Sequence, residues 1–284
     1  MAIKKKRTHI YLLLPLYAYY GLFFLVPLGI LFIYSFWLTS TTKIIPIFTL
    51  HNYIEMFTKE LYRTIIFRSL YIGLVIGLLC VLLSYPLAYA LTFKYKKLQD
   101  AILYLILISL FSNYLVRVYA WKTILGNYGF INQILTYLGI IKQPLEFLLY
   151  SKTAVVITLV FILVPYTILP IFSSLQNVSI DLIEAAKDLG ANPTRAFFKI
   201  TLPLSMPGVT TGFIFSFILS AGDYVTPQLV GGNSGLMIGR IISDQFGQSY
   251  NWPLGSAISY MMIFLMIIII NIFIWITRIL KLRS

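Results

Sequence analysis

Long, nearly uncharged apolar runs recur along the whole chain, and they limit its fold more than any other feature. Six stretches, at about residues 10–37, 65–92, 101–123, 151–174, 205–223 and 257–279, approach or exceed the length a helix needs to cross a bilayer core. Lipid offers no partner to a bare backbone, so a crossing segment must satisfy its own N–H and C=O groups, as a helix does. The expected fold is therefore an all-α membrane protein with six transmembrane helices. Composition agrees: 59% of the residues are hydrophobic and only 11% charged, against about a quarter charged in soluble domains. No hydrophilic block is large enough to fold separately, so 1–284 is expected to form a single transmembrane domain.

Basic residues orient the spans. A cytoplasmic N-terminus puts Lys4, Lys5, Lys6, Arg7, Lys94, Lys96, Lys97, Lys187, Arg195, Lys199, Arg278, Lys281 and Arg283 on the cytoplasmic side, and every connection there carries at least three. The positive-inside rule then predicts that both termini are cytoplasmic. The run from Ile10 to Trp37 contains no small-x-small cleavage site and is expected to be an uncleaved first span.

The formal charge of +13 does not indicate nucleic acid, because the basic residues cluster beside apolar runs, where they face lipid headgroups. Cys80 is the only cysteine, which excludes an internal disulfide or a cysteine-based metal site. Only His9 and His51 are present, with no His-Glu-x-x-His and no Gly-x-Ser-x-Gly, so an intramembrane enzyme is not expected. Pro15, Pro27, Pro86, Pro165, Pro170 and Pro207 lie in or near spans and predict local bends. Gly73 and Gly77 make a small-xxx-small step suited to close helix packing.

The cytoplasmic loop 177–203 reads as two short helices. Asp181 can cap the first, with Glu184 three residues later completing a capping box, and Gly190 ends it. Asn192 followed by Pro193 is an N-cap before a first-turn proline, so a second helix starts there and is expected to stop before Pro203. Ala185, Ala186 and Leu189 form a shallow apolar face between charged residues, a shape suited to a partner's groove.

These residues carry a resemblance. Glu184-Ala185-Ala186, then Gly190, Ile200, Leu202 and Pro203, resembles the EAA signature of ABC importer permeases in spacing and topological position. The resemblance implies the permease fold with a coupling-helix elbow between the fourth and fifth spans. It assigns ATPase coupling to Glu184, Ala185, Ala186, Leu189, Gly190, Leu202 and Pro203. The chain has no Gly-x-x-x-x-Gly-Lys-Ser/Thr loop, so ATP and Mg are expected on two copies of a cytoplasmic ATP-binding partner, with no cofactor on this chain.

Two outer blocks narrow the resemblance. Phe111 to Trp121 and the turn-rich segment from Gly222 through Gly232 to Ala257 are similar to the permease B subunits of spermidine/putrescine importers. That branch implies a second homologous permease and an extracytoplasmic polyamine-binding protein as partners. A polyamine requires carboxylates for its ammonium groups and aromatic faces for its methylene stem. Asp223, which terminates an apolar span, leads the candidate pathway residues; it can equally cap a helix or sit in a salt bridge. Tyr224, Tyr119, Trp121 and Trp252 are candidate aromatic walls, and Asp244 and Glu146 are lesser acidic ones. Arg117, Lys122 and Arg240 can contact an acidic partner surface or pair with those carboxylates. The outer basic excess would suit an anion equally well. Thiamine, ferric ion, an inorganic anion or a sugar therefore stay open as cargo, and an ATP-independent secondary transporter is the competing class.

Overall fold

The computed structural model describes residues 15–40 and 43–282, the last three by backbone alone. Lys4, Lys5, Lys6, Arg7 and Arg283, and the start of the expected first span, lie outside the described residues. The described chain packs as two compact units, one reaching to Arg63 and including Ile241–Phe264, the other containing Thr64–Arg240 and the chain from Leu265 onward.

In the first unit, α1 (Pro15–Tyr34) is an apolar helix whose most apolar stretch buries no side chain. A two-stranded antiparallel ribbon follows, β1 (Leu38–Ser40) against β2 (Lys43–Ile45), with Thr39 opposite Ile44. The helix α2 (His51–Thr58) is tied back by Asn52, whose amide donates to the Ser35 and Trp37 carbonyls at 3.0 and 2.8 Å. Tyr260 joins α1 by donating to the Leu28 carbonyl at 2.6 Å and meeting Phe32 edge to face.

The second unit holds most of the long helices: α3 (Glu60–Lys94), which begins in the first unit, α4 (Gln99–Phe111), α5 (Tyr114–Leu125), α6 (Phe130–Tyr137), α7 (Lys152–Gln176), α8 (Ile180–Asp188) and α9 (Pro193–Ala221). After α9 come α10 (Ile238–Gly247) and α11 (Trp252–Leu282), which cross between the units. Among the described residues five helices are long and apolar enough to span a membrane, and α4 with the helices after it makes the sixth if counted as one broken span.

That break corrects the expected third span, about 101–123. The chain turns by 97° between α4 and α5. Ser112 is extended there (φ −68°, ψ 142°), and the Asn113 side chain accepts the Val116 N–H at 3.3 Å, starting a new helix. Apolar composition marked the segment; the cap that divides it was a single residue.

The second unit's core joins Ile76 and Cys80 of α3, Val118 and Leu125 of α5, Val155, Leu159 and Ile162 of α7, and Val230 and Met237 from the segment after α9. Close approach depends on small residues, as in other membrane bundles. A Cβ on Gly73 would lie 2.8 Å from the Ala221 Cβ, and one on Gly77 would lie 2.9 Å from the Phe213 ring, so the predicted small-xxx-small step of α3 packs against α9. On its other side α9 meets α7, where Gly208 sits against the Pro170 carbonyl. Helix α9 is held between the two.

Candidate functional site

The elbow between α7 and α9 is built by two caps. Helix α8 starts at Ser179, whose hydroxyl accepts the Asp181 N–H at 3.2 Å, so the cap expected at Asp181 belongs to the serine two residues earlier. Asp181 instead lies in the first turn, where its charge meets the positive end of the helix dipole. At the other end the Gly190 N–H donates to the Lys187 carbonyl (2.8 Å) and the Ala191 N–H to the Ala186 carbonyl (2.9 Å). This is the Schellman arrangement, and it needs the left-handed backbone that Gly190 adopts at φ +86°. Asn192 then caps α9 by accepting the Arg195 N–H at 2.7 Å, with Pro193 in the first turn.

The second helix does not stop before Pro203. It continues as α9 to Ala221 through a wider π-turn at Phe197–Thr201. Proline lacks an N–H and its ring crowds the carbonyl four residues earlier; the wider turn immediately before Pro203 shifts the bonding register so that the helix passes through. Glu184, Ala185, Leu189 and Gly190 are exposed and Ala186 is partly exposed, whereas Leu202 is half-buried and Pro203 buried within α9. Leu189 is 90% exposed, which leaves a large apolar side chain bare on a charged elbow.

Beyond the far end of the same helix, Asp223 caps a short turn, its Oδ1 accepting the Val225 N–H and its Oδ2 the Thr226 N–H, each at 3.1 Å. It forms no ion pair among the described residues. Tyr114 at the start of α5 places its Oη 2.9 Å from Thr226 Oγ1. Burial raises the Asp223 carboxyl above the usual aspartate range, while the nearby Thr226 and Tyr114 hydroxyls and the two backbone N–H groups draw it down.

Asp223 lines a cavity of about 490 Å³ together with Tyr114, Tyr166, Tyr224, Leu159 and Leu219. The broken span opens at this wall, since Tyr114 follows directly on the break. Of the predicted pathway residues the structure brings Asp223 and Tyr224 together here; Tyr119, Trp121 and Trp252 are not among the lining residues. Tyr119 is exposed with the Lys122 Nζ 6.0 Å from its ring centre. Trp121 packs on Phe161 at 4.5 Å. Trp252 opens α11 in the first unit, edge-on to Phe246. Arg117 is not itself among the lining residues, but its Nη1 donates to the carbonyl of Ile162, which is, at 3.4 Å, and its buried Nε lacks a partner among the described residues.

Tyr114, Tyr166 and Thr226 were not singled out from sequence. For Thr226 a signal was present, because its distance of three residues from Asp223 is the spacing of a cap and the N–H it receives; the tyrosines had no marker among 21. No group of three or more His, Cys, Asp or Glu side chains among the described residues is placed to hold a metal.

Residues 10–283 match the family described as binding-protein-dependent transport system inner membrane component. The spermidine/putrescine transport system permease protein PotB of Haemophilus influenzae is 32% identical over 225 residues, 79% of this chain and 78% of its own. The spermidine/putrescine transport system permease protein PotC of Escherichia coli is 41% identical over 70 residues, 25% of this chain and 26% of its own. The fold is similar to that of a bacterial alginate ABC transporter, solved in complex with its pentasaccharide-bound periplasmic protein: TM-score 0.72 at 15% identity, covering 95% of this chain and 94% of that one. The chain belongs to the family of binding-protein-dependent transport system inner membrane components.

Proposed function

We propose that this chain is one of two permease subunits in an ATP-driven polyamine importer, carrying spermidine or putrescine past Asp223 while its α8 elbow docks on a cytoplasmic ATPase. The observation that carries the reading is one unbroken helix. α9 runs 29 residues from the elbow to the edge of the Asp223 cavity, about 44 Å at 1.5 Å per residue, clamped along its length by α3 and α7. A shift of the elbow when the ATPase pair closes is therefore delivered to the cavity as movement of a single rigid element.

The elbow's exposed face, with Leu189 bare and Ala185 and Ala186 allowing close approach, suits a groove on an ATP-binding subunit, of which the importer has two. Both termini then face the cytoplasm, and the binding protein delivers cargo from the other side. The likeness to PotB over most of the chain supports polyamine cargo, and the shorter likeness to PotC supports a homologous second permease. Asp223 is the charged residue among those lining the cavity.

The test is reconstitution of the assembled importer with its binding protein, followed by ATPase assays with spermidine, putrescine, thiamine, ferric ion, sulfate and a sugar. Stimulation by a polyamine alone is expected. Stimulation only by one of the other solutes would remove the cargo assignment, and an importer purified without any ATPase would remove the coupling role.

A further inference from the structure

The seam between α9 and α11 opens into another cavity, of about 280 Å³, in the half of α9 nearer the elbow. Met206, Pro207 and Thr210 of α9 line one side of it, and Ile274, Thr277 and Arg278 of α11 the other. The two helices meet there through Thr210 and Thr277, whose Oγ1 atoms are 3.3 Å apart. Sequence fixes the depth. Met206 stands about 10 Å along α9 from Lys199, and Arg278 comes shortly before α11 ends at Leu282. Trp275, three residues before Arg278 and 63% exposed, is of the type that settles at headgroup level. The cavity therefore lies where acyl chains give way to headgroups, in the leaflet on the elbow's side.

We propose that this cavity binds an anionic phospholipid of that leaflet, with the phosphate on the Arg278 guanidinium and the upper methylenes of an acyl chain against Met206, Pro207 and Ile274. Arg278 is exposed and makes no ion pair or hydrogen bond among the described residues, so its five donors are free for the phosphate. No carboxylate lines the cavity, so a zwitterionic headgroup would bring an ammonium with nothing to pair it. The threonines add no donor: Thr210 Oγ1 donates to the Met206 carbonyl and Thr277 Oγ1 to the Ile274 carbonyl, each at 2.9 Å. One cation without supporting donors is a poor site for a free oxyanion, which gives up its hydration for a single contact. A lipid phosphate is already held at this depth by its chains, so the same contact is made at high effective concentration. The neighbouring cavity between α3, α9 and α11, bounded by Leu74, Leu78 and Ile269, has an entirely apolar lining and cannot select by charge.

The test is native mass spectrometry of the assembled permease–ATPase complex, titrated in detergent with phosphatidylglycerol, phosphatidylcholine or inorganic phosphate. Arg278→Gln removes the cation and keeps the stem; Ile274→Trp fills the cavity and keeps the cation; Lys96→Gln removes a basic residue that does not line it. Wild type is expected to retain one phosphatidylglycerol with about fivefold preference over phosphatidylcholine, as for one basic residue at an anionic surface. The preference should disappear in Arg278→Gln, and the retained lipid should be lost in Ile274→Trp. Lys96→Gln should match wild type, and inorganic phosphate should not displace the lipid. An undiminished preference in Arg278→Gln overturns the proposal, as does lipid retained in Ile274→Trp. An equal loss in Lys96→Gln would show diffuse attraction rather than a site, and displacement by inorganic phosphate would show a free-phosphate site; either result also overturns it. Complexes that keep both permeases and both ATPases in the same spectra show that the variants fold, so a lost lipid is read on intact assemblies.

Discussion

Replacing Gly190 perturbs the elbow through its backbone alone, which makes the consequence calculable. The residue sits at φ +86°, and a Cβ built there would meet nothing within 4 Å, so no steric clash contributes. An L-residue forced into this region is strained by roughly 1–2 kcal/mol, with β-branched residues at the upper end and Asn well below it. If the backbone escapes to negative φ, the bonds from the Gly190 and Ala191 N–H groups to Lys187 and Ala186 are lost and α8 frays. Either way, the docked shape of the elbow becomes roughly five- to thirtyfold less populated for Gly190→Val. The coupled assay is spermidine taken up per ATP hydrolysed in proteoliposomes, together with the amount of ATPase that co-purifies. The expected order is glycine, then asparagine, then alanine, then valine, with membrane insertion unchanged. Normal coupling in Gly190→Val, or an asparagine variant as impaired as valine, would refute the reasoning.

Two further outcomes follow from the same geometry. Asp223→Asn removes the charge and turns one of the two oxygens that accept backbone N–H groups into a donor, so polyamine uptake should fall at least tenfold; wild-type uptake would take Asp223 out of the pathway. Because burial raises the Asp223 carboxyl, its charge is lost as pH falls through a value above that of an ordinary aspartate. The acid limb of uptake should therefore begin higher than for a free carboxylate and vanish in Asp223→Asn; the neighbouring groups are Tyr114, Tyr166, Tyr224 and Arg117, which bonds the carbonyl of the lining residue Ile162. Gly73→Val drives a side chain into Ala221, an overpacking penalty of about 1–3 kcal/mol, and should lower the melting temperature of the detergent-solubilised complex. An unchanged melting temperature would mean α3 and α9 do not pack as described.

Much of the architecture was legible because it rests on composition and local chemistry. Bilayer-length apolar runs located the spans, and a glycine and an asparagine–proline pair fixed the turn at 190–193, since capping is decided within a few residues. The same locality explains the misses. Ser179 and Asp181 are both good caps, and the chain used the earlier. Pro203 reads as a helix stop, yet a π-turn absorbed it, a choice made by the packing of α9 against α3 and α7 rather than by Pro203 itself. The cavity was the least legible part. Tyr114 meets Thr226 across 112 residues of sequence, and such a pairing leaves no periodic trace. Trp121 resembled a pathway aromatic by type and position, but Phe161 is its neighbour in space.

The most direct test is whether proteoliposomes holding the assembled importer concentrate radiolabelled spermidine against its gradient in the presence of the binding protein. Accumulation that requires internal ATP, and that Asp223→Asn abolishes, is the predicted result. Spermidine entering equally without ATP would contradict the account, since a path that needs no ATPase gives the α8 elbow nothing to couple.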